Sequence, residues 1–399
     1  MLTNSLITSH VLSFQLLLAV VLVQGLNVVE TPLIHSTKTP PFTALIRAGF
    51  GTPAQEVTGV FDTGSSDLVI PRRDSAICQD VQQQCSGTDF ETGAVRPNSS
   101  SLLVQRTLFA TNFVNGVQLD GTVAVGAVSF GGSAVSKVQF GLVSNGSLPP
   151  QTPLVPIFGV GPIQGEAAQE LYPNLPAQMK AEGKIKSNAF SLYMNDFRAA
   201  NGSVLFGGTD SAKFSGELRS MPILVNNDNQ IPSFVVSWDA LEFVSANNTE
   251  PPAQKTNLAP EGLPVTLLDS GNPGMSMPSA MLSALADQMG TTFNRDEGVG
   301  PVRCNAADSK LVFGFRQASV DLPMEMLMLP LTNDDGSPAT DNAGEPLCQL
   351  PVDVSDEEPA SLGAPFLQAA YVVFDMDNQQ ILMAQAVVNA THSQIQEYP

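Results

Sequence analysis

Histidine is scarce in this chain of 399 residues, which contains His10, His35 and His392 and no other. Two lie near the amino terminus and one near the carboxyl terminus. Ser-His-Asp and Cys-His mechanisms need a histidine base held inside a folded site, and none of the three is suited to that task. The shortage also argues against a zinc site, because the four cysteines are expected to pair and leave no free thiolate. We therefore predict neither a bound metal nor a cofactor.

Basic residues are also few. Lysine and arginine number 18 against 38 aspartates and glutamates, which gives a formal net charge of −20 at pH 7. Such a charge argues against nucleic acid and anionic membranes as partners. The sequence further lacks a phosphate-binding P-loop, a dinucleotide fingerprint and a calcium loop. Acid–base chemistry by carboxylates is the reaction class that remains.

Long hydrophobic runs are absent as well. The apolar run 11–23 is too short to span a bilayer, and no second run reaches that length. Because Gln24-Gly25 and a polar stretch follow it, the run is typical of a secretory signal peptide over residues 1–25, although no Lys or Arg precedes it. Residues 26–41 form a short segment after it. We predict a secreted, extracellular protein with no membrane-bound part.

Glycine and proline, in contrast, are plentiful, and short runs rich in Val, Phe and Thr recur between turn residues. This pattern favours strands over helices and predicts an all-β fold, and the length allows two domains with full cores. The cysteines fit a secreted chain. We expect Cys78 to pair with Cys85 and Cys304 with Cys348, although spacing alone leaves other pairings open. In such a chain five Asn-x-Ser/Thr sequons are candidate glycan acceptors: Asn98, Asn145, Asn201, Asn247 and Asn389.

Two short runs, 60–65 and 267–272, carry the main functional signal. Each places an aspartate after two apolar residues and before a small hydroxyl residue and a glycine. The apolar pair predicts the end of a buried strand, and the glycine permits a tight turn that leaves Asp62 or Asp269 on a loop. One such run would be an ordinary turn. Two of them, at comparable places in the two halves, predict a paired-carboxylate site built from a duplicated unit.

The spacing of a second motif supports the duplication. Ile157-Phe158-Gly159 follows Asp62 and Ser361-Leu362-Gly363 follows Asp269 at nearly equal separations, although the second copy begins with a polar residue. Two copies of one fold would show such a repeat at a long period.

Two carboxylates held close together share one proton, because ionising both is costly. The ionised group can then remove a proton from a water as it attacks a peptide carbonyl, while the protonated group donates to the developing oxyanion. Such a reaction requires neither a metal nor a covalent intermediate.

From about Phe42 to about Ala386 the chain resembles the pepsin-like (A1) aspartic proteases, especially the secreted fungal type. The matching stretches occur in family order: 49–55, 61–68, 190–193, 205–210 and 371–375. The resemblance implies an all-β, bilobal fold, with duplicated β-rich lobes over 42–228 and 229–399 around a central cleft and with Asp62 and Asp269 facing each other at its floor. It implies a secreted endopeptidase that cleaves polypeptides at acid pH, and we expect a monomer.

The resemblance also implies a set of supporting residues: Thr63, Gly64, Ser65, Ser270, Gly271 and Asn272. Thr63 and Ser270 match hydroxyl residues that cross-link the two loops, and Ser65 matches a hydroxyl that bonds the aspartate of its own lobe. The counterpart of Ser65 is usually Thr or Ser, but here it is Asn272. Because an amide can also donate, we expect Asn272 to hold Asp269 with altered geometry.

The resemblance places a flap, a β-hairpin that closes over substrate, at residues 112–117. The implied substrate-binding residues are Phe113, Val114, Asn115 and Gly116. Phe113 stands where the family has tyrosine, and Val69 where it has the tryptophan that bonds this tyrosine. We expect Phe113 and Val69 to pack together without a hydrogen-bond relay. Val114 replaces the usual flap glycine and adds bulk.

Two alternatives stay open. The first is a pepsin-like binding protein with weak or no catalysis, which the altered flap and Asn272 favour. It is also favoured by the short stretch between Gly25 and Phe42, which has a single lysine, Lys38, where family zymogens carry a basic propeptide. The second is an unrelated β-protein in which both aspartate runs are ordinary turns, and the ordered family matches argue against it.

Overall fold

The computed structural model describes residues 25–35, 43–80, 85, 93–97, 101–150, 152–198, 201–245, 255–259 and 262–399. The expected signal peptide lies outside these ranges except for Gly25, and so do Lys38 and the sequons at Asn98 and Asn247. Within the described ranges, none of the helices has the length and apolar character needed to cross a bilayer.

Strands dominate the first half of the chain. They are β1 Val29–His35, β2 Ala44–Phe50, β3 Gln55–Asp62, β4 Leu68–Pro71, β5 Leu103–Asn112, β6 Gln118–Phe130, β7 Ser133–Ser147, β8 Ile157–Gly159, β9 Ala189–Tyr193, β10 Asn201–Phe206, β11 Gly208–Asp210 and β12 Phe214–Pro222. Two short α-helices, α1 Ala76–Gln79 and α2 Leu175–Ala181, and one 3-10 turn, Ile163–Gly165, lie between them.

The second half is also built mainly from strands. They are β13 Val235–Ser237, β14 Ala240–Val244, β15 Lys255–Asn257, β16 Val265–Leu268, β17 Met275–Met277, β18 Phe293–Asn294, β19 Gly298–Val299, β20 Val302–Arg303, β21 Lys310–Phe315, β22 Ala318–Pro323, β23 Leu329–Pro330, β24 Leu347–Gln349, β25 Val352–Val354, β26 Ala360–Leu362, β27 Ala370–Asp375, β28 Gln380–Ala386 and β29 Ile395–Glu397. Its helices are α3 Ser279–Met289, α4 Met324–Leu327 and α5 Ala364–Ala369, with a 3-10 segment at Cys304–Asp308.

The two halves repeat one strand arrangement around the aspartate loops. In the first half, β3 runs parallel to β8, β8 is antiparallel to β4, and β4 is parallel to β7. In the second half, β16, β26, β17 and β25 are joined by the same sequence of parallel and antiparallel pairings. The predicted all-β fold with duplicated lobes is therefore confirmed, and the repeat of Ile157–Gly159 at 361–363 reflects strands β8 and β26.

One sheet joins the halves. Among the described residues, thirteen strands form it, and β27 and β28 from the second half lie between β12 and β9 from the first. Aromatic rings pack across this junction: Phe190 of β9 stacks on Phe374 of β27, with ring centroids 4.8 Å apart, and Phe61 meets Phe190 edge-on at 5.9 Å. Phe61 directly precedes Asp62, so the rigid junction positions the first aspartate loop.

Strand β1 belongs to the same sheet, where it pairs antiparallel with β10 and β2. The short segment 26–41 therefore contributes a strand to the folded body. The cysteines pair as expected, Cys78 with Cys85 and Cys304 with Cys348, so that each disulfide lies within one half of the chain.

Candidate active site

The two aspartate loops meet in the structure. Asp62 is the last residue of β3, and Asp269 directly follows β16. Their side chains are within hydrogen-bonding reach of each other. Asp62 is 7% exposed. Asp269 is half-buried as a residue, but its carboxyl group is enclosed by the protein.

The glycines of the two runs make this approach possible. A Cβ atom on Gly64 would lie 2.5 Å from Cγ of Asp269, and one on Gly271 would lie 2.4 Å from Oδ1 of Asp62. Each glycine thus faces the carboxyl group of the opposite loop. Any side chain at either position would displace that group, which explains why both runs carry glycine there.

Thr63 and Ser270 cross-link the loops reciprocally. The Thr63 amide donates to Ser270 Oγ at 3.0 Å, and the Ser270 amide donates to Thr63 Oγ1 at 2.9 Å. Each hydroxyl also donates to a carbonyl of the opposite strand, Thr63 to Leu268 at 2.7 Å and Ser270 to Phe61 at 2.6 Å. Four buried hydrogen bonds therefore hold the two aspartates at a fixed separation.

We expect Thr63→Val to lower the free energy of unfolding by about 2–4 kcal/mol, because it leaves the Ser270 amide and the Leu268 carbonyl buried without their partner. Urea unfolding measures this change. Thr111→Val, a half-buried threonine on β5, is the matched control and should change stability by no more than about 0.5 kcal/mol. Equal losses in the two variants would show that the cross-link contributes nothing.

The two carboxyl groups have unequal donors. On Asp62, Oδ1 accepts from the Gly64 amide at 2.8 Å and Oδ2 accepts from the Ser65 hydroxyl. On Asp269, the amides of Gly271 and Asn272 both donate to Oδ1, at 2.9 and 3.2 Å. Among the described residues Oδ2 of Asp269 has no hydroxyl donor equivalent to Ser65.

The side chain of Asn272 does not hold Asp269, so the expectation from the sequence is wrong on this point. Its Nδ2 donates to Ser361 Oγ at 2.9 Å, and its Oδ1 accepts from the Gly274 amide at 2.9 Å. Both ends of the amide are therefore engaged away from the carboxyl group.

Burial of its carboxyl group raises the pKa of Asp269 well above the usual range for aspartate, and the nearby charge of Asp62 and the hydrogen bond between the two groups raise it further. The amides of Gly271 and Asn272 act in the opposite direction but do not outweigh these effects. The pair is thus built to carry one proton well above the pH at which an isolated aspartate loses it.

A buried acidic cluster behind the first loop escaped the sequence reasoning. The Tyr172 hydroxyl donates to Asp67 Oδ1 at 2.6 Å, and the Ala167 amide donates to Asp67 Oδ2 at 2.7 Å. Glu166 accepts the Tyr172 amide at 2.9 Å through Oε2, while its buried Oε1 has no partner within the described part of the chain. The Asp67 carbonyl accepts from the Gly159 amide at 3.0 Å, so the cluster also supports the strand beside Asp62.

Burial raises the pKa of Glu166 to about 8, and the neighbouring charge of Asp67 adds to the effect. Burial likewise raises the pKa of Asp67, although the hydrogen bonds from Tyr172 and Ala167 oppose it. The one available signal was that Asp67 lies within the family-like stretch 61–68. Nothing local in the sequence marked Glu166 as buried.

The expected flap is the turn of the hairpin formed by β5 and β6. The amide of Phe113 donates to the Val117 carbonyl at 2.8 Å, and the amide of Gly116 donates to the Phe113 carbonyl at 3.0 Å. Phe113 is half-buried in one hydrophobic cluster with Val69 and Ile157, in line with the expected packing of Phe113 near Val69. Val114 is fully exposed at the tip.

Known proteins are similar to most of this chain. The family model of eukaryotic aspartyl protease matches residues 45–386. A "Probable aspartic-type endopeptidase OPSB" of Trichophyton verrucosum (strain HKI 0517) is 29% identical over 356 residues, which cover 87% of this chain and 69% of the relative. "Candidapepsin-3" of Candida albicans (strain WO-1) is 31% identical over 345 residues, which cover 84% of this chain and 77% of the relative.

The fold matches that of a solved structure as well. The crystal structure of an aspartic proteinase from Irpex lacteus aligns with a TM-score of 0.68 over 92% of this chain and 100% of that chain, at 17% sequence identity. The structural match supports the fold, and the family model and the sequence relatives support the family. The chain belongs to the eukaryotic aspartyl protease family.

Proposed function

We propose that this protein is a secreted aspartic endopeptidase that hydrolyses peptide bonds at acid pH through Asp62, Asp269 and a water activated between them. The observation that carries the proposal is the contact between two enclosed carboxyl groups with unequal donors. This arrangement favours one ionised and one protonated group, the pair of states that the chemistry needs.

The donor sets suggest a role for each aspartate. Asp62 receives the Gly64 amide and the Ser65 hydroxyl on different oxygens, and we assign it the role of the base. Both donors to Asp269, the Gly271 and Asn272 amides, reach Oδ1 alone, and burial raises its pKa, so we assign the shared proton to Asp269. In the reaction, Asp62 removes a proton from the water as the water oxygen attacks the peptide carbonyl. Asp269 donates its proton to the carbonyl oxygen, which gives a tetrahedral intermediate with two hydroxyl groups. Asp62 then passes its newly gained proton to the amine nitrogen as the carbon–nitrogen bond breaks, and Asp269 takes a proton back from one hydroxyl as the carboxyl product forms.

The hairpin turn is the proposed cover of the substrate. Val114 and Asn115 are exposed at its tip, while Phe113 is anchored in the cluster beneath it. The anchored ring supports a role for Phe113 in lining the site, and Val114 and Gly116 would meet the polypeptide through their backbone. The hairpin is thus proposed to act through shape, without the hydroxyl that tyrosine would supply.

The test is the rate of hydrolysis of an unfolded protein substrate from about pH 2 to about pH 7. We expect a maximum in acid and a decline as pH rises through the pKa of Asp269, because the deprotonated group can no longer donate to the oxyanion. Equimolar pepstatin should abolish the activity. Absence of hydrolysis across the whole range would contradict the proposal.

A second candidate is a pepsin-like binding protein without useful catalysis. The side chain of Asn272, turned towards Ser361 instead of Asp269, is the observation that favours it. Binding of pepstatin at acid pH separates the two. A well-formed dyad should bind the inhibitor and hydrolyse protein, whereas failure in both measurements favours the second candidate.

Secretion and a monomeric state are further parts of the proposal. One disulfide within each half fits an oxidising compartment, and the net charge of −20 is better tolerated where carboxylates are partly protonated. The dyad draws both aspartates from a single chain, so no second copy is needed. The proposed partners are polypeptide substrates, with neither nucleic acid nor membrane.

A further inference from the structure

Two departures from the repeated pattern of the halves lie in contact. In the first half, the Ser65 hydroxyl donates to Asp62, and the neighbouring strand β8 begins with the apolar residue Ile157. In the second half, Asn272 stands where Ser65 would be, and the matching strand β26 carries Ser361. The hydrogen bond from Asn272 Nδ2 to Ser361 Oγ, 2.9 Å long, joins these two changes.

The contact fixes the amide of Asn272 in one orientation. Its Oδ1 accepts the Gly274 amide, and its backbone carbonyl accepts the Ala364 amide at 2.8 Å. The backbone at the end of β26 also packs closely against Asn272. A Cβ atom added to Gly363 would lie 2.4 Å from the carbonyl oxygen of Asn272 and 3.0 Å from the Cβ atom of Asn272. Turning the side chain towards Asp269 would break both of its hydrogen bonds.

We propose that Asn272 and Ser361 form a positioning pair that withholds a side-chain donor from Asp269 and thereby extends the activity of the dyad to higher pH. The inference rests on the proposed function. A donor to a carboxylate stabilises its ionised form. The Ser65 hydroxyl is such a side-chain donor to Asp62, whereas the amide of Asn272, engaged by Ser361, gives none to Asp269. The proton on Asp269 is therefore kept at a pH where a second-lobe threonine or serine would already have released it.

Among the residues that the structure describes, the charged group that acts on Asp269 is Asp62, across the dyad. On its own loop Asp269 receives the amides of Gly271 and Asn272, which remain whichever side chain residue 272 carries. A substitution at residue 272 can therefore add a side-chain donor to this carboxyl group while the two backbone donors stay in place.

The experiment supplies residue 272 with a side-chain hydroxyl, the donor type that Ser65 provides in the first half, through Asn272→Thr and, separately, through Asn272→Thr combined with Ser361→Ile. We expect the alkaline limb of the kcat/KM profile to move towards acid by about one pH unit, with activity at the acid optimum kept within about threefold. Ser276→Ala, a half-buried serine that pairs with Ser361 across the sheet, is the matched control and should leave the limb in place. A purely structural brace would instead lower activity equally at every pH, and that result would overturn the inference.

A readout without activity keeps this inference separate from the proposed function. Carboxyl-carbon NMR of protein with labelled aspartate follows the titration of Asp269 directly, and its midpoint should fall by about one pH unit in Asn272→Thr. If the wild type fails to hydrolyse protein but the midpoint falls, the proposed function is wrong and the positioning role stands. An unchanged midpoint in Asn272→Thr and in Asn272→Ser would overturn the positioning role.

Discussion

Replacing Asp62 or Asp269 by asparagine is expected to lower kcat/KM at the acid optimum by at least about 10⁴-fold. The amide has nearly the shape of the carboxyl group, so the loops should keep their cross-link through Thr63 and Ser270. What it cannot do is exchange a proton. Asp62→Asn removes the base that takes a proton from water, and Asp269→Asn removes the acid that supplies one to the carbonyl oxygen.

Both variants should retain the folded structure, because the amide nearly matches the carboxyl group in shape and its oxygen can still accept the hydrogen bonds of the loop. Circular dichroism and the urea midpoint check this. Asp228→Asn, in the exposed turn between β12 and β13, is the matched control and should keep full activity. The double variant should lose no more than either single one, since the pair acts as a unit. Activity within about tenfold of wild type in Asp62→Asn would rule out the proposed dyad.

Glu166→Gln is expected to make the protein markedly more stable at alkaline pH. The pKa of Glu166 in the folded state, about 8, lies above the ordinary value of 4.5, so over that window the folded state binds more protons than the unfolded state. Stability is therefore lost as pH rises from about 4.5 to about 8. The proximity of Asp67 makes the ionised state of Glu166 still less favourable.

Allowing for solvent screening, the loss in wild type is on the order of 2 kcal/mol between about pH 5 and about pH 8. Urea midpoints at the two pH values measure it, and Glu166→Gln should abolish most of the difference. Glu170→Gln, an exposed glutamate in the same segment, is the matched control and should behave as wild type. A loss in Glu166→Gln as large as in wild type would show that another group causes the alkaline instability.

The sequence predicted the parts of the site that local pattern determines. Asp62 and Asp269 each follow an apolar pair and precede a hydroxyl residue and a glycine, and this pattern by itself indicates a strand end followed by a tight loop. The repeat at Ile157 and Ser361 indicated a duplicated unit, because one motif recurs at nearly the same distance after each aspartate. The first inference needed only the residues next to each aspartate, and the second needed only the equal spacing of the two motifs.

Several contacts between residues far apart along the chain were not predicted, because neither a local pattern nor the family resemblance indicates them. Asn272 and Ser361 were each recognised as departures, but their separation along the chain hid the hydrogen bond between them. Glu166 is buried by packing against Tyr172 and Asp67, which no local pattern marks. Strand β1 was not predicted either: its buried residues alternate along Val29–His35, but two of them, Thr31 and His35, are polar, so the sequence shows no apolar alternation there.

The crossed contacts of Gly64 and Gly271 have a consequence for how such a molecule can change. A bulky residue at Gly64 would displace the carboxyl group of Asp269, and one at Gly271 would displace that of Asp62. A substitution in one half therefore impairs the aspartate of the other half, which is encoded far away in the gene. The two aspartate loops must therefore stay compatible with each other during evolution, even where the rest of the two halves differs in sequence. Libraries intended to retune this enzyme should vary both loops simultaneously and select for compatible combinations.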